Sequence, residues 1–276
     1  MKKRVCSLLL MCALIISWCP LQVKAIDGAY TPENYQITTT QNMNILTLEE
    51  IMNMTDEELR EMELLPFNQN ARGVVDASYE VSSYNIQQKN GYYCGPASTL
   101  QAIYASGKQS SVSGTTYTAK QETLAGNSYL CTDRDKATWI DYIPPVMNTF
   151  VPRAREWVRA SVGVEAKDDY MSFDIAEYYI RGNHYYGYAV IFLLQTYLLS
   201  YYPDSPTHAD NGNHYITGTA VYYDTLNPND YENIRLRLND SNNKSSYFGT
   251  HYEDFQNVMD AMIAYTNASG PANFVY

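Results

Sequence analysis

The chain has 276 residues, 30 acidic and 19 basic, for a net charge of −11, with 45% hydrophobic and 18% charged side chains. That composition supplies a buried core for one large domain or two small ones and excludes a chain disordered throughout. The acidity argues against nucleic acid or an anionic membrane as partner, since both are gripped by basic faces, and five cysteines are too few for a disulfide scaffold of this size.

The N-terminus reads as an address. Lys2, Lys3 and Arg4 precede an uncharged run from Val5 to Trp18, and Val23 and Ala25 are small residues two positions apart. This three-part pattern predicts a secretory signal peptide over 1–25, cleaved after Ala25, and hence a secreted or cell-surface protein with no membrane attachment after cleavage. The apolar run is short for a spanning helix, which needs about 20 residues. Cleavage removes Cys6, Cys12 and Cys19 together with Lys2, Lys3, Arg4 and Lys24, leaving 15 basic against 30 acidic residues and a charge of −15. Cys94 and Cys131 remain, either as unbridged thiols or as one disulfide.

Residues 26–75 are expected to form an N-terminal extension. Residues 26–45 are polar and read as an extended leader. Residues 47–64 look helical: Thr47 caps a short turn holding Leu48 and Ile51, Thr55 and Glu58 form a capping box, and Leu59, Met62 and Leu65 supply an apolar stripe. Pro66 ends the segment, and a loop with Asn68, Asn70 and Gly73 follows. The extension is either an appendage packed on the main domain or a pro-segment covering an active site. The stripe carries no sign of inhibition, which favours the appendage.

Residues 76–276 read as one continuous domain without a linker. Val74–Ser83 has strand character, Pro96–Ala105 has helical periodicity, and Gln121–Ala125 and Trp139–Phe150 look helical, the latter broken by Pro144 and Pro145. Ile175–Ile180 is a short helix. The dense apolar run Ala189–Leu194 is a buried strand or core helix. Tyr215–Tyr223 and Ile234–Leu238 are strands joined as a hairpin through Asn227-Pro228-Asn229-Asp230, and Phe255, Val258, Met259, Met262 and Ile263 mark a last amphipathic helix. Early helices followed by antiparallel strands predict an α+β fold. The 27 tyrosines, many in tandem pairs, are read as amphipathic packing residues rather than as a ligand platform.

The chemistry concentrates in Gln88-Lys89-Asn90-Gly91-Tyr92-Tyr93-Cys94-Gly95-Pro96-Ala97-Ser98. Cys94 precedes a predicted helix whose first position suits Pro96, and Gly95 allows close backbone approach. Unpaired N–H groups and the positive end of the helix dipole favour thiolate, the nucleophilic species. Gln88 is placed to join the Cys94 N–H in stabilising an oxyanion. Among His184, His208, His214 and His251, His214 is the best candidate base, because it opens a strand at a loop mouth. Asp240, at the end of the following strand, would accept a hydrogen bond from that imidazole. Asn239 is its rival for the role. The chain has no Gly-rich phosphate loop, no Gly-x-Ser-x-Gly elbow and no His-Glu-x-x-His motif, and two mature cysteines cannot build the usual structural zinc site, so no cofactor or metal is expected.

The Gln-x5-Cys-Gly-Pro-Ala-Ser stretch, the later His-Tyr-Ile-x-Gly and the Asn-Asp at a strand end resemble the bacteriocin-processing peptidases and their standalone secreted relatives, which are papain-like cysteine peptidases. Gln121-Glu122-Thr123-Leu124-Ala125 is similar to a helix those proteins carry after the one bearing the cysteine. The resemblance covers roughly residues 76–260. It implies a papain-like fold, with an N-terminal catalytic helix packed on an antiparallel sheet, and a peptide or protein substrate. It also implies Cys94 as nucleophile, His214 as general base, Asp240 as orienting residue and Gln88 as oxyanion donor. Family members often have Asp-Pro where this chain has Asn239-Asp240-Ser241. Two other functions fit the same residues: acyl transfer by a cell-wall amidase or transglutaminase-type enzyme, and a catalytically silent secreted binding protein.

Overall fold

The computed structural model describes residues 50, 53–61, 78–163, 170–223, 233–269 and 272–276, all within one compact unit. The signal segment, the polar leader and the loop with Asn68, Asn70 and Gly73 lie outside the described residues, as do Leu48, Ile51, Met62, Leu65, the start of the strand at Val74 and the turn at 227–230. The fold is α+β, a largely antiparallel sheet with helices. Six described helices are α1 (Asp56–Glu61), α2 (Cys94–Ala105), α3 (Tyr117–Ala125), α4 (Ile143–Phe150), α5 (Phe173–Tyr185) and α6 (Phe255–Ser269). Eight strands are β1 (Ser78–Glu80), β2 (Arg159–Val162), β3 (Tyr170–Met171), β4 (Val190–Gln195), β5 (Asn213–Tyr223), β6 (Ile234–Asp240), β7 (Gly249–Asp254) and β8 (Phe274–Val275). The sheet runs β3-β2-β8-β4-β5-β6-β7, and β1 pairs with the far half of β5. Every pairing is antiparallel except β2 with β3.

The apolar run at 189–194 is a central strand, and its alternation divides the interior. Val190, Phe192 and Leu194 face one cluster, with Phe274 of β8 and the buried side chains of α5 and α6. Ala189, Ile191 and Leu193 face the other, with Val275 and the buried side chains of α2 and α4. A strand buried on both faces reads as a continuous hydrophobic run for this reason. The expected hairpin is present as β5 and β6, with Tyr223 opposite Ile234 and Thr217 opposite Asn239.

Local chemistry explains most of the helices. Thr55 N–H donates to Glu58 at 2.7 Å and Glu58 N–H to the Thr55 hydroxyl at 3.2 Å, the reciprocal capping box read from sequence. Thr116 caps α3 and Ser172 caps α5. Pro144 and Pro145 do not break a helix; they sit in the first turn of α4 behind a 3-10 turn, Ile140–Tyr142. Missing N–H groups cost nothing there, because first-turn donors have no intrahelical partner. Helix α5 runs past the expected end at Ile180, through Gly182 and Asn183 to Tyr185. Asn183 stays in the helix by donating its amide to the Tyr179 carbonyl at 2.7 Å. Strands β2, β3, β7 and β8 have no counterpart in the sequence reading.

Candidate functional site

Helix α2 begins at Cys94, two residues earlier than the periodicity placed it, so Pro96 is third in the helix rather than first. All twelve of its residues are buried, and small side chains at Gly95, Ala97 and Ala102 make that possible. Ser98 Oγ donates to the Tyr215 carbonyl at 2.8 Å, and Thr217 Oγ1 donates to the Ser98 carbonyl at 3.1 Å. These bonds tie the first turn of α2 to the start of β5. Gly95 is required by contact: a Cβ there would collide with the Thr138 side chain. Thr138 is delivered by a tight turn, in which Ala137 N–H meets the Asp133 carbonyl at 3.0 Å. Cys131 and Ala137 border that turn with φ of 49° and 52°, conformations that L-residues adopt at a cost of about 1–2 kcal/mol each. Gly218 meets a similar demand in β5, where a Cβ would strike the Phe192 ring.

His214 is the second residue of β5, and Asp240 is the last residue of β6. Asp240 lies opposite Ile216, two residues from His214, so the imidazole and the carboxylate share a face of the sheet. His214 Nε2 is 2.8 Å from Asp240 Oδ1. Nε2 is thus taken, and Nδ1 is the ring nitrogen left for the Cys94 thiol, whose proximity helps to raise His214. Asn239 points the other way: its Oδ1 accepts from the Ser83 and Thr219 hydroxyls at 2.9 and 3.0 Å. The orienting contact to His214 is therefore made by Asp240 and not by its rival.

Opposing influences set the charges. Burial pushes the Cys94 thiol up, but the hydrogen bond and charge of His214 and the N–H groups of Tyr215 and Gly95 outweigh it and hold it below its ordinary value. Burial pulls His214 down, yet the Asp240 carboxylate and the bond to Cys94 push it up to about 10. Burial also raises Asp240, but the charge and bond of His214, the Asn242 N–H and the Tyr202 hydroxyl keep it below the usual carboxylate range. The three groups together favour a thiolate, an imidazolium and a carboxylate.

Gln88 lies beside this set. Its N–H donates to the Ser241 carbonyl at 2.7 Å, next to Asp240. Its side-chain Nε2 donates to the Asn90 carbonyl at 2.8 Å, and the same carbonyl accepts the Tyr93 N–H at 3.3 Å. The amide nitrogen is thereby held at the carbonyl that also receives the Tyr93 N–H, with a second hydrogen to offer. Its Oε1 is buried and accepts no bond.

The other histidines lie apart. His184 is buried in α5 against the Gly218 carbonyl at 3.2 Å, and burial lowers it to about 4. His208 accepts a local bond from the Asp210 N–H at 3.2 Å. His251 is within β7, donating to the Tyr247 carbonyl at 2.7 Å. Neither Cys94 nor Cys131 is in a disulfide, and Cys131 Sγ lies 3.1 Å from the Asn127 carbonyl.

Sequence reading did not find several groups at this site. Gln121 of α3 accepts the Lys89 N–H at 2.9 Å and donates to the Gln87 carbonyl at 2.9 Å, gripping the backbone on both sides of Gln88. Tyr201 and Tyr202 donate to Asp240 Oδ2 at 3.3 and 2.8 Å. The only signal for the tyrosines was their being a tandem pair, which fits packing equally well. Among the described residues no group of His, Cys, Asp and Glu is arranged to hold a metal ion, and no helix is long and apolar enough to cross a membrane. No protein-family model matches this sequence, and no curated protein matches it.

Proposed function

We propose that this protein is a secreted papain-like cysteine peptidase, with residues 76–276 as its peptidase domain and peptide or protein as its substrate. The observation that carries the reading is the buried pairing of Cys94 with His214, with Asp240 2.8 Å behind the imidazole. The order of parts along the chain agrees with the resemblance noted above: a thiol opening a helix, a histidine opening a strand, a carboxylate ending the next strand. Export is supported by the N-terminal pattern of basic, apolar and small residues.

In this mechanism the Cys94 thiolate attacks the carbonyl carbon of the scissile amide. The resulting oxyanion sits between the Cys94 N–H and the second hydrogen of Gln88 Nε2. His214 gives its proton to the leaving nitrogen as the C–N bond breaks, leaving an acyl-enzyme thioester. A water molecule then attacks the thioester, its proton passing to His214, and the acid product departs with the thiolate restored.

The test is hydrolysis of denatured protein by the full chain and by Cys94→Ala. The substitution is expected to lower the rate by about a thousandfold or more while the fold persists. Full activity in the variant would end the proposal. Parallel incubation with peptidoglycan fragments separates the amidase reading, which requires release of muropeptide products alone.

A further inference from the structure

Asp240 has no solvent exposure, so every stabilising contact to its charge comes from protein. Oδ1 faces His214 Nε2 and the Asn242 N–H, each at 2.8 Å. Oδ2 is met by the Tyr202 hydroxyl at 2.8 Å and the Tyr201 hydroxyl at 3.3 Å. The direction of the Tyr202 proton follows from its neighbours. The Lys244 N–H can only donate and lies 2.8 Å from Asn242 Oδ1, which turns Asn242 Nδ2 toward the Tyr202 oxygen at 2.9 Å. That oxygen accepts from Asn242, so its own proton points to Asp240.

The two rings are fixed. Tyr202 stacks on Tyr247 with centroids 4.3 Å apart, and the Tyr247 hydroxyl donates to Asp210 at 3.0 Å. Tyr201 stacks on His251 at 3.7 Å. Both tyrosines come from the segment after β4, whereas His214 and Asp240 come from β5 and β6. The titratable groups facing this carboxylate are His214 from β5 and the two tyrosines; Glu253 of β7 adds negative charge beside Tyr201. Burial beside Asp240 keeps the Tyr202 phenol protonated far above its ordinary range.

We infer that Tyr202, backed by Tyr201, is a positioning residue of the site: its hydroxyl holds the Asp240 carboxylate with Oδ1 toward His214 and stabilises the buried charge in place of water. The inference rests on Cys94 being a reactive thiol, as proposed above. A carboxylate bonded only on Oδ1 would be free to rotate and costlier to keep ionised. Turned out of line, its charge would stabilise the His214 imidazolium less well, and the thiolate would lose its counter-charge.

The experiment follows alkylation of Cys94 by iodoacetamide across pH, read on the Cys94 peptide by mass, in the full chain and in Tyr202→Phe, Tyr201→Phe and Tyr247→Phe. Thermal melts establish that each variant is folded. Tyr202→Phe keeps the ring stack and loses only the hydroxyl. Its midpoint is expected to rise by about one pH unit, which lowers the rate below the midpoint about tenfold. Tyr201→Phe shifts the midpoint in the same direction by less. Tyr247→Phe leaves it unchanged, because that hydroxyl serves Asp210. A depressed wild-type midpoint that moves in neither Tyr202→Phe nor Tyr201→Phe overturns the inference and leaves the reactive thiol standing. A wild-type midpoint at the ordinary thiol value of about 8.5 overturns both.

Discussion

Two buried histidines, His184 on helix α5 and His214 on strand β5, show what a partner's charge decides. Both are buried, yet His184 falls to about 4 and His214 rises to about 10. His184 meets a neutral carbonyl, which cannot offset the desolvation of an imidazolium, whereas His214 meets a carboxylate, which can. The sign for activity follows. Thiolate forms as pH rises through the lowered pKa of Cys94, and the imidazolium is lost as pH rises through about 10 at His214. Because the groups are coupled, the limbs belong to the pair. The expected pH profile of hydrolysis is a broad bell, with its acid limb below the ordinary thiol value. Asp240→Asn keeps a hydrogen-bonding side chain and removes the charge. Its alkaline limb is expected to fall toward about 6.5, the ordinary imidazole value, and its acid limb to rise, so the bell narrows from both sides. A rate profile of the variant that superimposes on wild type would refute this electrostatic account.

At the scale of elements, the site was legible where chemistry is local. Cys94 at a helix start, His214 opening β5 and Asp240 closing β6 were all found, because capping positions, strand alternation and hairpin order are written in consecutive residues. The choice between Asn239 and Asp240 was not, since it depends on which face of β6 meets β5; pairing with Thr217 and Ile216 decides it. The grip of α3 on Gln88 was equally hidden, because Gln121 lies 32 residues from Lys89 and their bond carries no sequence period. That grip has a measurable consequence. Gln121→Leu removes both bonds to the backbone around Gln88 and leaves Cys94, His214 and Asp240 untouched. Hydrolysis is expected to lose about tenfold in kcat, in line with a misplaced oxyanion donor, while iodoacetamide alkylation of Cys94 proceeds at the wild-type rate. Equal losses in both assays would mean that α3 supports the thiol rather than Gln88.

Over the whole molecule, the sheet separates two cores, and the described helix α1 packs in the one without the thiol. Leu59 is 1% exposed and packs in the cluster of α5 and α6, while Cys94 lies in the cluster of α2 and α4. Helix α1 therefore fixes the chain at 53–61 to the body of the domain. The two-residue strand β8 holds the far side of the same sheet, and its pairing partners β2 and β4 are distant in sequence, which is why no local pattern announced it. If the helix is an anchor, its contribution is to stability and not to access. Leu59→Ala is expected to cost about 2–3 kcal/mol through the cavity and the lost apolar burial, lowering the melting midpoint by several degrees. At a temperature where the variant remains folded, Cys94 alkylation and peptide hydrolysis should match wild type, because the thiol faces the other cluster. Faster hydrolysis in Leu59→Ala, with the melting midpoint lowered, would instead mark the extension as a cover over the site, loosened by the loss of its anchor.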